Sequence, residues 1–457
     1  IITKQKANDS VGFKEEAIMN HKITAALAVI CVASSVLSGC SIKIGEVTNE
    51  KTMISQPENF TEDITVNTPD FTESSTTEHP RYLIPEWKFE ASIDKTASSN
   101  NSVSSNINGE KENLINHETV SVYGKHSVLL NEIPNIAKIL GRTVSTPKGF
   151  VCEMSASGFE IEGILEGDIA VDIDLSNAVC SCYISVSVDG VLLDKLKLDD
   201  GLKTYTLAGN LKKGEHKIEV RKLTEAYFNS IVIGKLSFTG QLKPLSAAKR
   251  KIEIIGDSIT CGLDIDIPGA PQGDIGEFED GTRTYGALAA KSFGADYNVF
   301  SVSGWGCIGG AGGAAASIPR IYDQCTYTQY YEEKWDFSSW QADVVVINLG
   351  TNDGGYIWQN HLTDRDFETA VKDFLLTVRK KYPHAKIIWA YGMMGSGVKN
   401  LIQNVIEELN KTDPDYAFVK IPQHTRSSDS HPGPDDHQRA ADMLSSCISK
   451  VTGWKQK

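Results

Sequence analysis

Residues 252–259 read IEIIGDSI: a run of apolar side chains broken by a single glutamate, then glycine, acid and serine. A run this apolar suits a strand buried on both faces of a parallel sheet. Four more apolar runs follow it, at Asn298–Val302, Val344–Leu349, Ile387–Ala390 and Phe418–Ile421. Between and after them the spacing changes to helical. Phe367, Val371, Phe374, Leu375 and Val378 recur on one helix face, as do Leu401, Val405 and Leu409, and then Ala440, Leu444 and Ile448. Strands alternating with helices over residues 246–457 predict a three-layer α/β domain.

In such sheets reactive groups collect just beyond the carboxyl ends of the strands. Four short blocks stand there: Gly256-Asp257-Ser258-Ile259, Ser301-Val302-Ser303-Gly304, Gly350-Thr351-Asn352-Asp353 and Asp429-Ser430-His431-Pro432. A serine hydroxyl becomes a useful nucleophile only when a base removes its proton during attack. Ser258 is the candidate nucleophile and His431 the candidate base. His437 falls inside the last amphipathic helix, where a solvated or packing role suits it better; His424 and His361 have no motif around them, and surface positions are expected.

Composition narrows the alternatives. Of 457 residues, 40% are hydrophobic and 23% charged, as in a globular protein with a substantial core. The 45 basic against 59 acidic side chains leave a net charge of −14, which argues against binding nucleic-acid phosphates. Nine cysteines are too few and too scattered for a disulfide scaffold, and no CxxC pair supports a zinc site. The acidic run Asp274–Asp280 lacks the spacing of a calcium loop. Neither a metal nor a cofactor is expected.

Upstream, residues 117–245 alternate with period two. Ile169, Val171 and Ile173 interleave with polar positions, Tyr183–Val188 runs into the turn Asp189-Gly190, and Gly214 precedes Lys217–Val220. Short strands at regular spacing predict a β-sandwich, of jelly-roll type, with no catalytic constellation and a structural or carbohydrate-contacting role.

The first part of the chain is of another kind. Residues 19–40, MNHKITAALAVICVASSVLSGC, place a basic start before an apolar stretch and a small-residue site, the pattern of a signal peptide. Leu37-Ser38-Gly39-Cys40 resembles a bacterial lipobox, which implies lipidation at Cys40 and a membrane anchor on the extracellular face. Residues 1–18 fit no signal peptide, and Lys14-Glu15-Glu16 lies where a ribosome-binding site would be; we expect the product to begin at Met19. Residues 41–116, with stretches such as TESSTTEHP and SSNNSVSSNINGEKEN, bury too little surface to offset ordering entropy and are expected to form a disordered tether.

The four blocks in this order resemble those of the SGNH (GDSL-like) hydrolases. With a β-sandwich ahead, GDSITCG as nucleophile block and Arg221-Lys222-Leu223-Thr224-Glu225-Ala226 upstream, the chain from about 120 to 455 is most similar to carbohydrate esterase family 2. That resemblance implies removal of acetyl groups from xylan and other plant hemicelluloses. It also implies an oxyanion hole made of the Ser258 and Gly304 backbone N–H groups and the Asn352 side-chain amide. The usual acid three residues before the histidine is Ser428 here; Asp429 stands two before, where its carboxylate or its main-chain carbonyl would orient the imidazole. Ser430 cannot stack on a sugar, so Trp305, Tyr356 and Trp358 are the candidates for a sugar platform.

The expected substrate is an acetylated polysaccharide or oligosaccharide such as acetyl xylan or glucomannan. Alternatives are an SGNH lipase or lysophospholipase, a peptidoglycan O-acetyl esterase, or a carbohydrate-binding lipoprotein without activity.

Overall fold

The computed structural model describes residues 119–457 except 177, 246–247, 268–274, 329–332, 396 and 428–429. The signal peptide with Cys40, the region before it, the tether and Asp429 lie outside the described residues.

The α/β half is built on a parallel sheet. Its strands are β1 (Lys251–Gly256), β2 (Asp296–Ser301), β3 (Val344–Asn348), β4 (Lys386–Tyr391) and β5 (Tyr416–Lys420), ordered β2-β1-β3-β4-β5. Each of the five apolar runs in the sequence falls on one strand. Because side chains alternate across a strand, an all-apolar run must be covered on both faces. Ile252, Ile254, Val344, Val346 and Ile388 pack with Tyr285–Ser292 (α2) and Pro434–Thr452 (α6). Ile255, Val345, Ile347, Ile387 and Trp389 face the opposite way, against Asp364–Lys381 (α4) and Lys399–Leu409 (α5). Helices thus cover both faces of the sheet. Two short helices sit at its carboxyl edge, Ser258–Cys261 (α1) after β1 and Thr351–Gln359 (α3) after β3.

The antiparallel half differs from the expectation of short, regularly spaced strands. It is one ten-stranded sheet dominated by Gly158–Ser176 and Gly201–Lys222, of 19 and 22 residues. Gly214, read from sequence as a break ahead of a strand, lies inside the second of these. Register shifts around Leu165, Gly167 and Ile169 explain how such strands curve: a bulge bends a strand without ending it. Phe159 and Ile161 before the shift and Val171 and Ile173 after it then point into the same core. The hairpin at Asp189-Gly190 is present, both residues at positive φ (53° and 82°).

The two halves belong to one compact unit. Arg142 of the antiparallel half is the plug. Its guanidinium reaches Glu253 of β1 at 2.6 Å with both side chains fully buried, bonds the carbonyls of Tyr322 and Gln324, and lies 4.1 Å from the Phe300 ring. Arg221 stacks over Tyr297 of β2 at 4.2 Å, and Glu153 accepts the backbone N–H groups of Tyr327 and Thr328 at 2.8 and 3.1 Å. Among the described residues no helix is long and apolar enough to cross a membrane.

Candidate active site

The strand order reverses between β2-β1 and β3-β4-β5, and a crevice opens at such a switch beyond the strand ends. Three of the four blocks emerge around it. At the end of β1 a Cβ on Gly256 would stand 2.0 Å from Thr260 Oγ1, so only glycine allows the sharp passage into α1. Asp257 caps that helix, accepting the Ile259 N–H at 3.0 Å. The cap is therefore Asp257 rather than Ser258, whose hydroxyl is left for other contacts.

His431 comes from the loop after β5 and meets it there: Nε2 lies 2.9 Å from Ser258 Oγ. Burial, with His424 and Arg426 nearby, pushes the imidazole down to about 4, so it is neutral at physiological pH. Arg426 ties this loop to the one after α1. Its guanidinium donates to the carbonyls of Asp264 (2.7 Å), Ile265 (2.8 Å) and His431 (3.3 Å). A side chain at Gly433 would strike that guanidinium, its Cβ falling 2.6 Å from Nη2.

On the other side of the imidazole stands a carboxylate that the sequence reading did not pick out. Asp264 Oδ2 is 3.8 Å from His431 Nδ1, and its other oxygen is buried without a partner among the described residues. Asp264 adopts φ 55°, a left-handed conformation that aspartate tolerates better than most residues. Burial raises its carboxyl to about 6 even though Arg426 opposes the shift. A positive-φ position cannot be read from sequence when a non-glycine occupies it.

Asn352 bridges the two segments that carry the other expected donors, contacting Asp257 beside Ser258 and Trp305 beside Gly304. Gly304, four residues past β2's Phe300, has φ 78°; its carbonyl accepts the Ala311 N–H at 2.8 Å. Among the described residues, neither its N–H nor that of Ser258 has a protein acceptor. Asn352 is on the first turn of α3, and its amide donates to the Trp305 carbonyl at 2.9 Å and to Asp257 Oδ2 at 3.3 Å. The neighbouring Asp353 is fully buried, accepts the N–H groups of Cys307 (2.8 Å) and Ile308 (2.7 Å), and so fixes the loop behind Gly304.

The aromatic residues separate. Trp305 packs edge-on against Tyr327 at 5.5 Å, and Tyr327 lies 6.2 Å from Tyr227 of the antiparallel half, two rings that sequence did not single out. Tyr356, four residues after Asn352, shares its helix face, as i and i+4 positions do. Trp358 is six residues on, off that face, and 80% exposed. Ser430 is buried against Ser427 (2.8 Å between hydroxyls). His437 is buried too, its Nδ1 accepting the Tyr285 N–H at 3.1 Å: the packing role, not the solvated one. All seven described cysteines are free thiols.

One further cluster has the chemistry of a metal site. Ligand atoms of Glu225, Cys261 and Glu279 lie within 4.8 Å of one another, all buried. The two glutamates instead accept backbone N–H groups, Cys261 Sγ meets Glu225 Oε2 and Ser301 Oγ, and the Lys222 ammonium is bonded to the Glu225 carbonyl at 3.1 Å.

Comparison with known proteins agrees with this geometry. Residues 254–427 match the GDSL-like Lipase/Acylhydrolase family, which places the α/β half in that class of acylhydrolases. Residues 139–247 match the Carbohydrate esterase 2 N-terminal family. Cellulase/esterase CelE of Acetivibrio thermocellus is 32% identical over 326 residues, covering 68% of this chain and 39% of CelE. An acetylxylan esterase / glucomannan deacetylase of Cellvibrio japonicus is 26% identical over 307 residues, covering 65% of this chain and 84% of its own. The structure of a family two carbohydrate esterase from Clostridium thermocellum, solved in complex with cellohexaose, superposes with a TM-score of 0.63 at 30% identity, over 70% of this chain and 100% of that one. The chain belongs to carbohydrate esterase family 2, as its sequence blocks imply.

Proposed function

We propose that the protein is a serine carboxylic-ester hydrolase that removes O-acetyl groups from plant hemicellulose, acetyl xylan or glucomannan. The observation that carries this is the 2.9 Å contact of Ser258 Oγ with a neutral His431 Nε2 beside the unpartnered N–H of Gly304. In this reading His431 takes the hydroxyl proton as Oγ attacks the acetyl carbonyl, and the C–O π pair moves onto oxygen. The oxyanion is held by the N–H groups of Ser258 and Gly304 and by Asn352, whose longer bond to Asp257 is the one exchanged. Collapse expels the sugar oxygen, which takes the proton from His431, and water then releases acetate by the same path in reverse order. Asp264, facing Nδ1, stabilises the imidazolium formed at each attack; Asp429 is the alternative partner.

Trp305 and Tyr356 line the sugar's approach, with Trp358 further out along a polymer. The antiparallel half is read as a jelly-roll sandwich. Lipidation at Cys40 would hold the enzyme on the extracellular face of the membrane, with residues 41–116 giving it reach toward bulky substrate.

The test is acetate release from acetylated xylan, acetylated glucomannan and O-acetylated peptidoglycan by wild type and Ser258→Ala. Release from the hemicelluloses that vanishes in the variant is expected. Release confined to peptidoglycan would reassign the substrate, and release by Ser258→Ala would refute the mechanism.

A further inference from the structure

Glu225 belongs to the antiparallel half, yet its carboxylate ends inside the hydrolase site. Oε2 accepts the Ser303 backbone N–H at 2.8 Å and lies 3.5 Å from Cys261 Sγ, which in turn lies 3.2 Å from Ser301 Oγ. One oxygen therefore touches the last residue of the nucleophile's helix α1 and the residue immediately before Gly304. In the mechanism proposed above, the Ser303–Gly304 peptide is the one whose N–H faces the oxyanion. It is flanked downstream by the Ala311 N–H on the Gly304 carbonyl, and upstream by a peptide whose Ser303 N–H is held by Glu225 and whose Val302 carbonyl takes the Trp305 N–H at a longer 3.3 Å.

Glu225 is itself held. Its backbone N–H donates to Glu279 Oε2 at 3.1 Å, and its carbonyl accepts a hydrogen bond from the buried Lys222 ammonium at 3.1 Å. Both glutamates are fully buried, and each has one oxygen with no partner among the described residues. Two buried carboxyls this close do not both stay ionised, because like charges at this range repel and burial penalises each. Burial raises both, Glu279 well above the ordinary carboxylate range. A neutral Glu279 leaves Glu225 free to act as the acceptor.

We infer that Glu225 is a positioning residue for the oxyanion hole, carried into the site by the antiparallel half and backed by Glu279, so that this half is a working part of the esterase centre. The inference rests on the Ser258–His431 reading above. It assigns no contact with substrate. Its consequence is that losing the acceptor at 225 lets the Ser303–Gly304 peptide turn away from the oxyanion, slowing turnover while leaving ground-state binding in place.

The experiment uses the full chain with p-nitrophenyl acetate and acetylated xylan, reading kcat and KM separately, and unfolding by circular dichroism. Glu225→Met keeps the volume and removes the acceptor; kcat should fall on the order of 100-fold with KM within about twofold. Glu225→Gln keeps an acceptor for Ser303 and a donor for Glu279, and should stay within about tenfold of wild type. Glu225→Met/Glu279→Met removes both buried carboxyls and should recover stability relative to the single variant while kcat stays low. A folded Met variant with wild-type kcat, a folded Gln variant more than 100-fold down, or a double variant whose kcat returns with its stability would each overturn the inference. Ser258→Ala run alongside separates the two ideas: if it remains active the hydrolase reading fails, whereas an inactive Ser258→Ala beside a fully active Glu225→Met sinks the positioning role alone.

Discussion

Replacing Asp264 by asparagine removes one charge from beside the imidazole at little cost in shape. The carboxylate is 3.8 Å from His431 Nδ1, with 9% of its own side chain and 18% of the imidazole exposed. At that distance, with an effective dielectric of about 20, an ionised Asp264 favours the imidazolium of the transition state by about 4 kcal/mol. Solvent at the imidazole edge trims this, so kcat/KM should fall about 100- to 1000-fold above pH 7. The sign of the pH dependence follows from the two groups. Asp264 is raised to about 6 by burial and His431 lowered to about 4. As the pH drops through about 6 the pair takes up a proton, and whichever group receives it, the site loses either its charge partner or its base. Wild-type kcat/KM should therefore decline below about pH 6, while Asp264→Asn lacks that step and declines only as the imidazole itself protonates. The ratio of wild type to variant should be largest above pH 7 and about tenfold smaller at pH 5, one unit below the Asp264 carboxyl. Initial rates with p-nitrophenyl acetate from pH 4.5 to 9 measure it. A variant as fast as wild type at pH 8 would show that Asp264 does not assist. The companion variant Asp429→Asn should keep most activity if that residue acts through its main-chain carbonyl; a loss near 10⁴-fold would give its carboxylate the role instead.

Three further outcomes are expected. Asn352→Ala should lower kcat about 100- to 1000-fold with little change in KM, since in the proposed mechanism it deletes a donor to charge that develops only in the transition state; an effect on KM alone would make it a substrate contact. Arg142→Met should lower stability by about 3–5 kcal/mol in urea unfolding, because Glu253 is left charged and buried, and adding Glu253→Met should recover part of that loss. Trp358→Ala, at a site 80% exposed, should leave stability and p-nitrophenyl acetate turnover unchanged but raise KM for acetylated xylan several-fold; equal KM values for the polymer would remove it from the sugar path.

The α/β half was legible because its physics is local and repetitive. A strand covered on both faces must be apolar throughout, so Ile252–Ile255 and Val344–Leu349 announce themselves, and the glycine ending each run marks where the chain turns to expose a functional side chain. The antiparallel half was legible in kind but not in layout. Period-two alternation marks Ile169, Val171 and Ile173 as inward-facing, but it cannot distinguish a glycine that ends a strand from one that bends it. Gly167, at φ 72° within a 19-residue strand, is the second sort, and the difference lies in which partner residues oppose it.

The site divides along the same line. Ser258, Gly304, Asn352 and His431 stand in short blocks with strong local grammar, and it is the sheet that brings residues 173 positions apart to 2.9 Å. Asp264 and Glu225 have no such grammar. An acid in a Gly- and Asp-rich loop, and an acid at the end of a strand in a domain without catalytic motifs, look like solvated charges until burial and proximity are known. Glu225 does carry one faint signal: a strand end rich in charge, Arg221-Lys222-Leu223-Thr224-Glu225, is hard to reconcile with a solvated edge once Lys222 and Glu225 prove fully buried. Burying two opposite charges costs several kcal/mol each before any return from their contacts. Here Lys222 bonds three carbonyls and Glu225 holds the Ser303 N–H, which converts a costly pair of charges into a rigid strut between the two halves of the chain. Buried charge at a domain junction is thus the feature to look for when one half of a two-part enzyme carries no catalytic motif of its own.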